Sequence, residues 1–158
     1  MQELIMYYGE IIINNQIMVY VFEQETLIFF STQNHFYSRF KNIPKGNNPF
    51  FENEMEQYIN GIQKEFKTKF LINQSTFQNK VFEALLDVKY GKIITYSDLA
   101  LRVGGLKYTR AVAKALSKNE ILLLVPCHRV VLKDGTIGGY LGGRDLKKFL
   151  LKIEGVAL

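Results

Sequence analysis

The sequence predicts an α/β protein of the α+β kind, with strands near the N-terminus and helices near the C-terminus. Three apolar runs, "LIMYYG", "QIMVYVF" and "LIFFS", follow one another near the start of the chain. After residue 75, helix-capping signals precede apolar residues that are spaced three and four apart. A chain of 158 residues that is 47% hydrophobic can bury a core as one domain or as two small ones.

The three N-terminal runs predict a small antiparallel meander. Asn14-Asn15 and the polar stretch "EQET" separate the runs and are typical of turns. In the loop that follows, "KNIPKGNNPF", Asn48 can cap a helix that has Pro49 in its first turn. The residues of this helix expected on one face are Phe51, Met55, Tyr58, Ile59 and Ile62. The segment "TKFLIN" is predicted as one more strand.

The character of the sequence changes around residues 73 to 76, which predicts two domains, 1–74 and 75–158. Ser75 and Gln78 have the spacing of a capping box, and the helix they begin is expected to bury a regular apolar stripe. That stripe is Phe77, Val81, Phe82, Leu85 and Leu86. Thr95 and Asp98 repeat the capping signature, and Gly104-Gly105 is expected to end the second helix.

A third helix, predicted from Lys107 to Lys118, forms a helix-turn-helix candidate with the second. Its apolar residues, Val112, Ala115 and Leu116, can pack inward, while Arg110, Lys114 and Lys118 share an outward stripe. Such stripes are usually solvated cationic surfaces. Small residues beside this one, and a formal charge of +5, also suit close approach to a nucleic-acid backbone.

The last part of the chain contains its only cysteine, within "VPCHRVV". The apolar run "ILLLV" is predicted as a buried strand that leads to Cys127. A glycine-rich stretch, "DGTIGGYLGG", precedes a closing helix that is expected to end at Gly155. The buried face of this helix is predicted to be Leu146, Phe149, Leu150 and Ile153.

One cysteine excludes an internal disulfide, and with two histidines it makes a poor set of metal ligands. A free cysteine after an apolar run is most often a small buried residue without reactivity. A nucleophilic role requires thiolate character, which His128 can support through a water if an acid such as Glu154 orients it.

Several motifs together carry a family resemblance. "PCHRV" followed by "GGYLGG", and preceded by "GKIITYSDLA" and "TRAVAKALSKN", resembles the methylated-DNA–protein-cysteine methyltransferases, the O6-alkylguanine repair proteins. The resemblance covers residues 75 to 156. It implies a ribonuclease-H-like N-terminal domain and a C-terminal helix-turn-helix (winged-helix-like) domain that carries the active cysteine.

The family's chemistry implies that Cys127 takes the alkyl group from O6-methylguanine in DNA, once per molecule and with no cofactor. O4-methylthymine is a second expected substrate. By similarity, His128 and Glu154 withdraw the thiol proton, and Tyr96 rotates the nucleotide outward and assists the departure of guanine. Arg110 fills the gap in the base stack that the flipped nucleotide leaves.

The other site residues implied by the resemblance fall into two groups. The DNA-binding group accompanies Arg110 and Tyr96 and consists of Thr109, Ala111, Lys114 and Ser117. The pocket and hinge group consists of Asn119, Val130, Tyr140, Leu141 and Gly142. Arg129 is expected to serve structure. The expected partner is double-stranded DNA that contains O6-alkylguanine, bound through the minor groove by a monomer.

No apolar run approaches the roughly 18 residues that a membrane span needs, and no basic-then-apolar leader opens the sequence. The expectation is a soluble, cytoplasmic protein. The single cysteine excludes the zinc site of some relatives.

The sequence departs from the family pattern at two informative positions. Asn119 is followed by Glu120 where proline is usual, and Leu141 replaces a serine that hydrogen-bonds the lesion oxygen. The first change suggests a less rigid hinge. The second is expected to tune substrate preference, because the backbone N–H of Leu141 remains available.

Two other functions remain as alternatives. A cysteine hydrolase would use Cys127 and His128 as a pair, but side chains adjacent in sequence rarely form such a dyad. A DNA-binding module that flags lesions without repairing them would not need the acceptor cysteine that this chain has.

Overall fold

The computed structural model describes residues 5–158, and these divide into two compact units between Leu71 and Ile72. The predicted α+β class is confirmed. Leu4, the first residue of the first apolar run, lies outside the described residues. None of the helices within residues 5–158 has the length and apolar character that a membrane crossing requires.

The first unit contains the predicted meander, in the order β1-β2-β3. Strands β1 (Met6–Ile13) and β2 (Gln16–Glu23) pair antiparallel, as do β2 and β3 (Thr26–Thr32). Asn14 and Asn15 join β1 to β2 with φ angles of 51° and 63°, the left-handed conformation that asparagine tolerates and that matches the twist of a hairpin.

Both faces of this sheet are covered. Helix α1 (Gln33–Arg39) brings Phe36 into a core cluster with Val19, Val21 and Phe29. On the other face, helix α2 (Pro49–Ile59) brings Phe51 against Tyr20 and Phe22, with ring centroids 5.3 and 5.8 Å apart. Because successive residues of a strand point to opposite faces, β2 is buried almost throughout.

Gly9 makes room for Tyr20, its partner across β1 and β2. A Cβ atom at position 9 would lie 2.2 Å from Cζ of Tyr20. The Tyr20 hydroxyl donates to Glu52 Oε2 at 2.9 Å and accepts from the Asn48 backbone N–H at 2.8 Å. Tyr20 therefore holds the beginning of α2, where Asn48 caps the helix as predicted.

Two predictions for this unit were wrong, and one helix was not predicted. Helix α1 was not predicted, and α2 ends before Ile62, which is exposed. Among residues 5–158, the segment "TKFLIN" pairs through a single isolated bridge, between Phe70 and Leu27, and is not part of a strand. The backbone N–H groups of Lys67 and Thr68 donate instead to the buried carboxylate of Glu54, at 2.8 and 2.9 Å, so they are not available to a neighbouring strand.

The second unit is mainly helical. Helices α3 (Thr76–Leu85), α4 (Tyr96–Val103) and α5 (Thr109–Leu116) precede the cysteine, and α6 (Arg144–Ile153) closes the chain. Two short parallel strands, β4 (Ile94–Thr95) and β5 (Val130–Val131), were not predicted.

The predicted caps and stops of this unit are confirmed. Ser75 and Gln78 form the capping box of α3, Thr95 caps α4 by accepting from Asp98 N at 3.1 Å, and Gly104 ends α4. Helix α5 is shorter than predicted, because residues Leu106–Tyr108 form a separate 3₁₀ turn.

The segment "ILLLV", predicted as a strand, is a buried turn. Leu122 and Val125 form a bridge with each other, and Leu123 between them has φ 72°. All five residues are buried, so the apolar run correctly indicated burial and incorrectly indicated an extended chain. This turn sets the position of the cysteine.

Candidate active site

Cys127 lies in the wall of a cavity of about 270 Å³ in the second unit. The cavity is bounded by the start of α4, one side of α5 and the loop before α6. Its lining residues are Tyr96, Ala113, Leu116, Ser117, Cys127, Gly139, Tyr140 and Leu141. A lining that is mostly apolar and aromatic suits a flat, weakly polar group brought against the sulfur.

Asn119 fixes the sulfur in this wall. Its side-chain N–H groups donate to the Val125 carbonyl at 3.0 Å and to Cys127 Sγ at 3.2 Å, while its Oδ1 accepts from Ile121 N at 2.9 Å. The amide is buried, and these bonds fold the segment from Asn119 to Val125 back on itself. The donor to Sγ favours the thiolate over the thiol.

The Cys127 thiol is nevertheless protonated at neutral pH. Burial raises its pKa to about 11, against the opposing effects of the Asn119 hydrogen bond and of the positive charge of Lys147. Attack by this sulfur therefore requires that its proton be removed during the reaction.

Lys147 is a fully buried cation beside the cavity. Its ammonium donates to the carbonyl of Val130, at 2.6 Å, and to that of Gly139, at 3.0 Å, and so joins β5 to the cavity loop. Burial lowers the pKa of Lys147 to about 8, which leaves the group mostly charged at pH 7. It supplies positive charge near the sulfur.

His128 is buried behind the cysteine and paired with an acid. Its Nε2 lies 2.7 Å from Glu154 Oε2, and its Nδ1 has no hydrogen-bond partner among residues 5–158. Burial lowers the pKa of His128, although Glu154 opposes this effect. The ring is therefore neutral at pH 7, and an ionised carboxylate at Nε2 leaves Nδ1 as the proton acceptor.

Arg129 completes this buried group. Its Nε donates to Glu154 Oε1 at 2.8 Å, its Nη2 to Oε2 at 3.0 Å and its Nη1 to the Val88 carbonyl at 2.6 Å. Burial alone would raise the pKa of Glu154, but the hydrogen bonds from His128 and Arg129 hold it well below its usual range. Glu154 is thus ionised throughout the physiological range.

The predicted DNA-binding residues share the outer side of the helix-turn-helix candidate. Arg110, Ala111 and Lys114 are exposed on α5, Ser117 is exposed directly after it, and Thr109 at its start is half-buried. Ser117 also lines the cavity, so this surface reaches the cavity mouth. Tyr96, the first residue of α4, lies half-buried in the cavity wall beside Gly138.

Some of the predicted pocket residues line the cavity, and others are buried behind its lining. Tyr140 and Leu141 line the cavity, and Gly139 lines it without having been predicted. Val130 and Gly142 are buried and are not among the lining residues. Val130 contributes its carbonyl to Lys147, and a Cβ atom at Gly142 would lie 2.8 Å from the Tyr140 ring.

Sequence reasoning missed Lys147 and Gly91, whose backbone N–H donates to Glu154 Oε1 at 3.2 Å. A signal for Lys147 existed, because it falls with Leu150, Leu151 and Glu154 at positions i, i+3, i+4 and i+7 of one helical stripe. A charged residue at each end of a buried stripe, here Lys147 and Glu154, indicates that both side chains are buried and bonded to polar groups. No three metal-binding side chains come together in the described part of the chain.

Replacing Lys147 with methionine is expected to raise the pKa of the Cys127 thiol by about one unit, because a nearby buried positive charge is lost. The measurement is the pH dependence of iodoacetamide addition, followed by intact mass on the folded protein. Lys148→Met is the matched control, since Lys148 is the exposed neighbour on α6. Identical pH profiles in the two variants would contradict the role assigned to Lys147.

Comparisons with known proteins agree with this geometry. Residues 76–156 match the family model described as "6-O-methylguanine DNA methyltransferase, DNA binding domain". The methylated-DNA–protein-cysteine methyltransferase of Methanosarcina mazei is 40% identical over 111 residues, which cover 68% of this chain and 70% of that protein. That of Methanosarcina acetivorans is 41% identical over 102 residues, so the match spans 65%, just under two thirds, of its length.

Solved structures extend the likeness to almost the whole chain. The O6-methylguanine methyltransferase of Mycobacterium tuberculosis has a TM-score of 0.84 at 27% identity, with 97% of this chain and 95% of that chain covered. A Mycobacterium tuberculosis structure described as OGT in complex with DNA has a TM-score of 0.87 at 27% identity, with 94% and 93% covered. This chain therefore belongs to the methylated-DNA–protein-cysteine methyltransferase family.

Proposed function

We propose that this protein repairs O6-alkylguanine in double-stranded DNA by transferring the alkyl group irreversibly to Cys127. The observation that carries the proposal is the position of Sγ in the wall of the 270 Å³ cavity, whose mouth adjoins the exposed face of α5. A base flipped from the duplex needs such a cavity to bring its O6 substituent to the sulfur. The relatives named for this activity support the same reading.

The proposed step is a direct displacement. A bond forms between Sγ and the alkyl carbon as the bond from that carbon to O6 breaks, and the electron pair of the broken bond stays with guanine. The thiol proton passes through a bridging water to Nδ1 of His128, which is the acceptor atom that the ring presents. Guanine takes up a proton as it leaves, for which the Tyr96 hydroxyl is the proposed donor.

The product is a thioether on the protein, and nothing in the proposed reaction removes it. Each molecule therefore acts once, and no cofactor is required, since the protein is its own acceptor. We also propose that the protein acts as a monomer. We also propose a cytoplasmic location, where the thiol stays reduced.

We propose that the two predicted domains, 1–74 and 75–158, have different functions. The family model for DNA binding starts at residue 76, which supports assignment of both DNA contact and alkyl acceptance to the second domain. Arg110 is proposed to enter the base stack. Lys114 and the small residues Ala111 and Ser117 are proposed to contact the backbone of the minor groove.

The cavity also suggests a substrate range. Leu141 contributes an apolar side chain to the lining, beside Leu116 and Ala113. Recognition of the lesion oxygen is then left to backbone N–H groups and to the hydroxyls of Tyr96 and Ser117, which also line the cavity. We propose that O4-methylthymine is accepted as well as O6-methylguanine.

The test is the intact mass of the protein after incubation with excess methylated duplex. The expected result is the gain of one methylene mass on Cys127 per molecule, followed by no further turnover. Unmodified duplex and the Cys127→Ser variant are the controls. Repeated turnover would indicate the hydrolase alternative, and binding without a mass change would indicate a module that only flags lesions.

A further inference from the structure

The buried carboxylate of Glu154 is shared by His128, Arg129 and the backbone of Gly91. Its Oε2 is within 3.0 Å of both His128 Nε2 and Arg129 Nη2, and its Oε1 accepts from Arg129 Nε and from the Gly91 N–H. A carboxylate with histidine as its one partner stabilises the imidazolium. Here the negative charge is already balanced by the guanidinium, which is always protonated.

We propose that Arg129 is a positioning residue that keeps His128 neutral, with its proton on Nε2 and with Nδ1 free to accept the proton of the Cys127 thiol. The proposal rests on the transfer reaction proposed above. It assigns to Arg129 a role in the chemistry, in addition to the structural role expected from the sequence.

Charge counting in the buried group supports this assignment. Arg129 and Glu154 together are neutral, so a proton on His128 would add an uncompensated positive charge in a site where the His128 and Glu154 side chains are fully buried and the Arg129 side chain is 10% exposed. A second cation, Lys147 of α6, disfavours that proton further. The remaining titratable groups that face this site are Cys127, Tyr140, whose ring centroid is 6.4 Å from that of His128, and Tyr90, whose pKa is raised by burial and by Glu154.

The shape of the guanidinium is as important as its charge. Arg129 is held at three points, by both oxygens of Glu154 and by the Val88 carbonyl. This fork fixes the plane of the carboxylate and therefore the direction in which it receives the His128 N–H. A lysine could supply the charge but not two parallel hydrogen bonds.

Imidazole NMR of the full-length protein tests the proposal directly, because the chain has two histidines and His35 serves as the internal reference. In the wild type, His128 is expected to show the neutral Nε2–H tautomer at pH 7 and to become protonated only below the ordinary pH range of histidine, because burial lowers its pKa. In Arg129→Met, it is expected to titrate at a pH higher by about one unit or more, since the guanidinium no longer balances the charge of Glu154. Arg129→Lys is expected to give a smaller change.

In the pH profile of the alkyl-transfer rate, the midpoint on the acid side is expected to move by the same amount as the titration midpoint of His128. Arg102→Met, which removes an exposed arginine from α4, is the matched control and should leave the titration unchanged. A wild-type imidazolium at pH 7, or an unchanged titration in a folded Arg129 variant, would overturn the proposal. If Arg129→Met does not fold, the His128 tautomer of the wild type and the His128 titration in Arg129→Lys still test the proposal. Absence of alkyl transfer in the wild type would instead reject the proposed function, because the NMR result does not depend on activity.

Discussion

The Glu154→Gln variant is expected to lose about 3–5 kcal/mol of folding free energy, because the change leaves the buried guanidinium of Arg129 without its counter-charge. Glutamine has nearly the same shape, so the loss measures charge and not packing. The measurement is urea unfolding at pH 7 of the variant and the wild type. Asp145→Asn, on the exposed side of α6, is the control and should change stability by less than about 0.5 kcal/mol.

The alkyl-transfer rate of this variant, and the pH dependence of its folding stability, also test the role of Glu154. Alkyl transfer should slow at least about tenfold under conditions where the variant is folded, while DNA affinity is nearly unchanged. The pKa of Glu154 lies below its usual 4.5 in the folded protein, so its stabilising effect is complete above pH 4.5 and is lost as the pH falls. The stability difference from the wild type should therefore shrink in acid. A difference below about 1 kcal/mol at pH 7 would contradict the buried ion pair.

Replacing Arg110 with alanine is expected to slow repair of duplex DNA about a hundredfold and to leave transfer from the free alkylated base unchanged. Extrusion of a stacked base costs a few kcal/mol, and a side chain that fills the gap stabilises only the flipped state. Arg110 is exposed at the start of α5, on the side from which DNA is proposed to approach. The measurement is the ratio of duplex to free-base transfer rates at saturating DNA.

Lys114→Ala and Lys118→Ala are the matched controls, because each removes one exposed positive charge from the same part of the chain. If these lysines only neutralise phosphate, both substitutions weaken binding to damaged and intact DNA alike and reduce its salt dependence. Equal rate ratios in Arg110→Ala and Lys114→Ala would show that Arg110 is an ordinary phosphate contact.

Local signals predicted the helices well, and longer-range effects account for the errors. Ser75, Thr95 and Asn48 cap their helices as predicted, because a cap depends on residues only three positions away. In "TKFLIN" the Glu54 carboxylate takes the Thr68 N–H, and in "ILLLV" the Asn119 side chain takes the Ile121 N–H. The N–H groups of Leu124 and Val125 donate to carbonyls within the same turn. An apolar run indicates burial and does not by itself determine backbone conformation.

The candidate site shows the same contrast between local sequence signals and contacts that are distant in sequence. The motif around Cys127 identified His128 and Glu154, and the structure places their side chains 2.7 Å apart although they are 26 residues apart in sequence. Lys147 was missed because its partners are carbonyls of residues 130 and 139, and sequence alone does not show which carbonyls will face a given helix. The roles of these residues in transfer stay predictions.

The contact between Gly9 and Tyr20 constrains how this protein can change over evolutionary time. Any side chain at position 9 would overlap the tyrosine ring, so it can arise only together with a smaller residue at position 20. A smaller residue there would in turn leave Glu52 and the Asn48 N–H without the hydroxyl that holds them. Positions 9, 20 and 52 are therefore expected to covary as a set among related sequences, and single substitutions within the set should be rare.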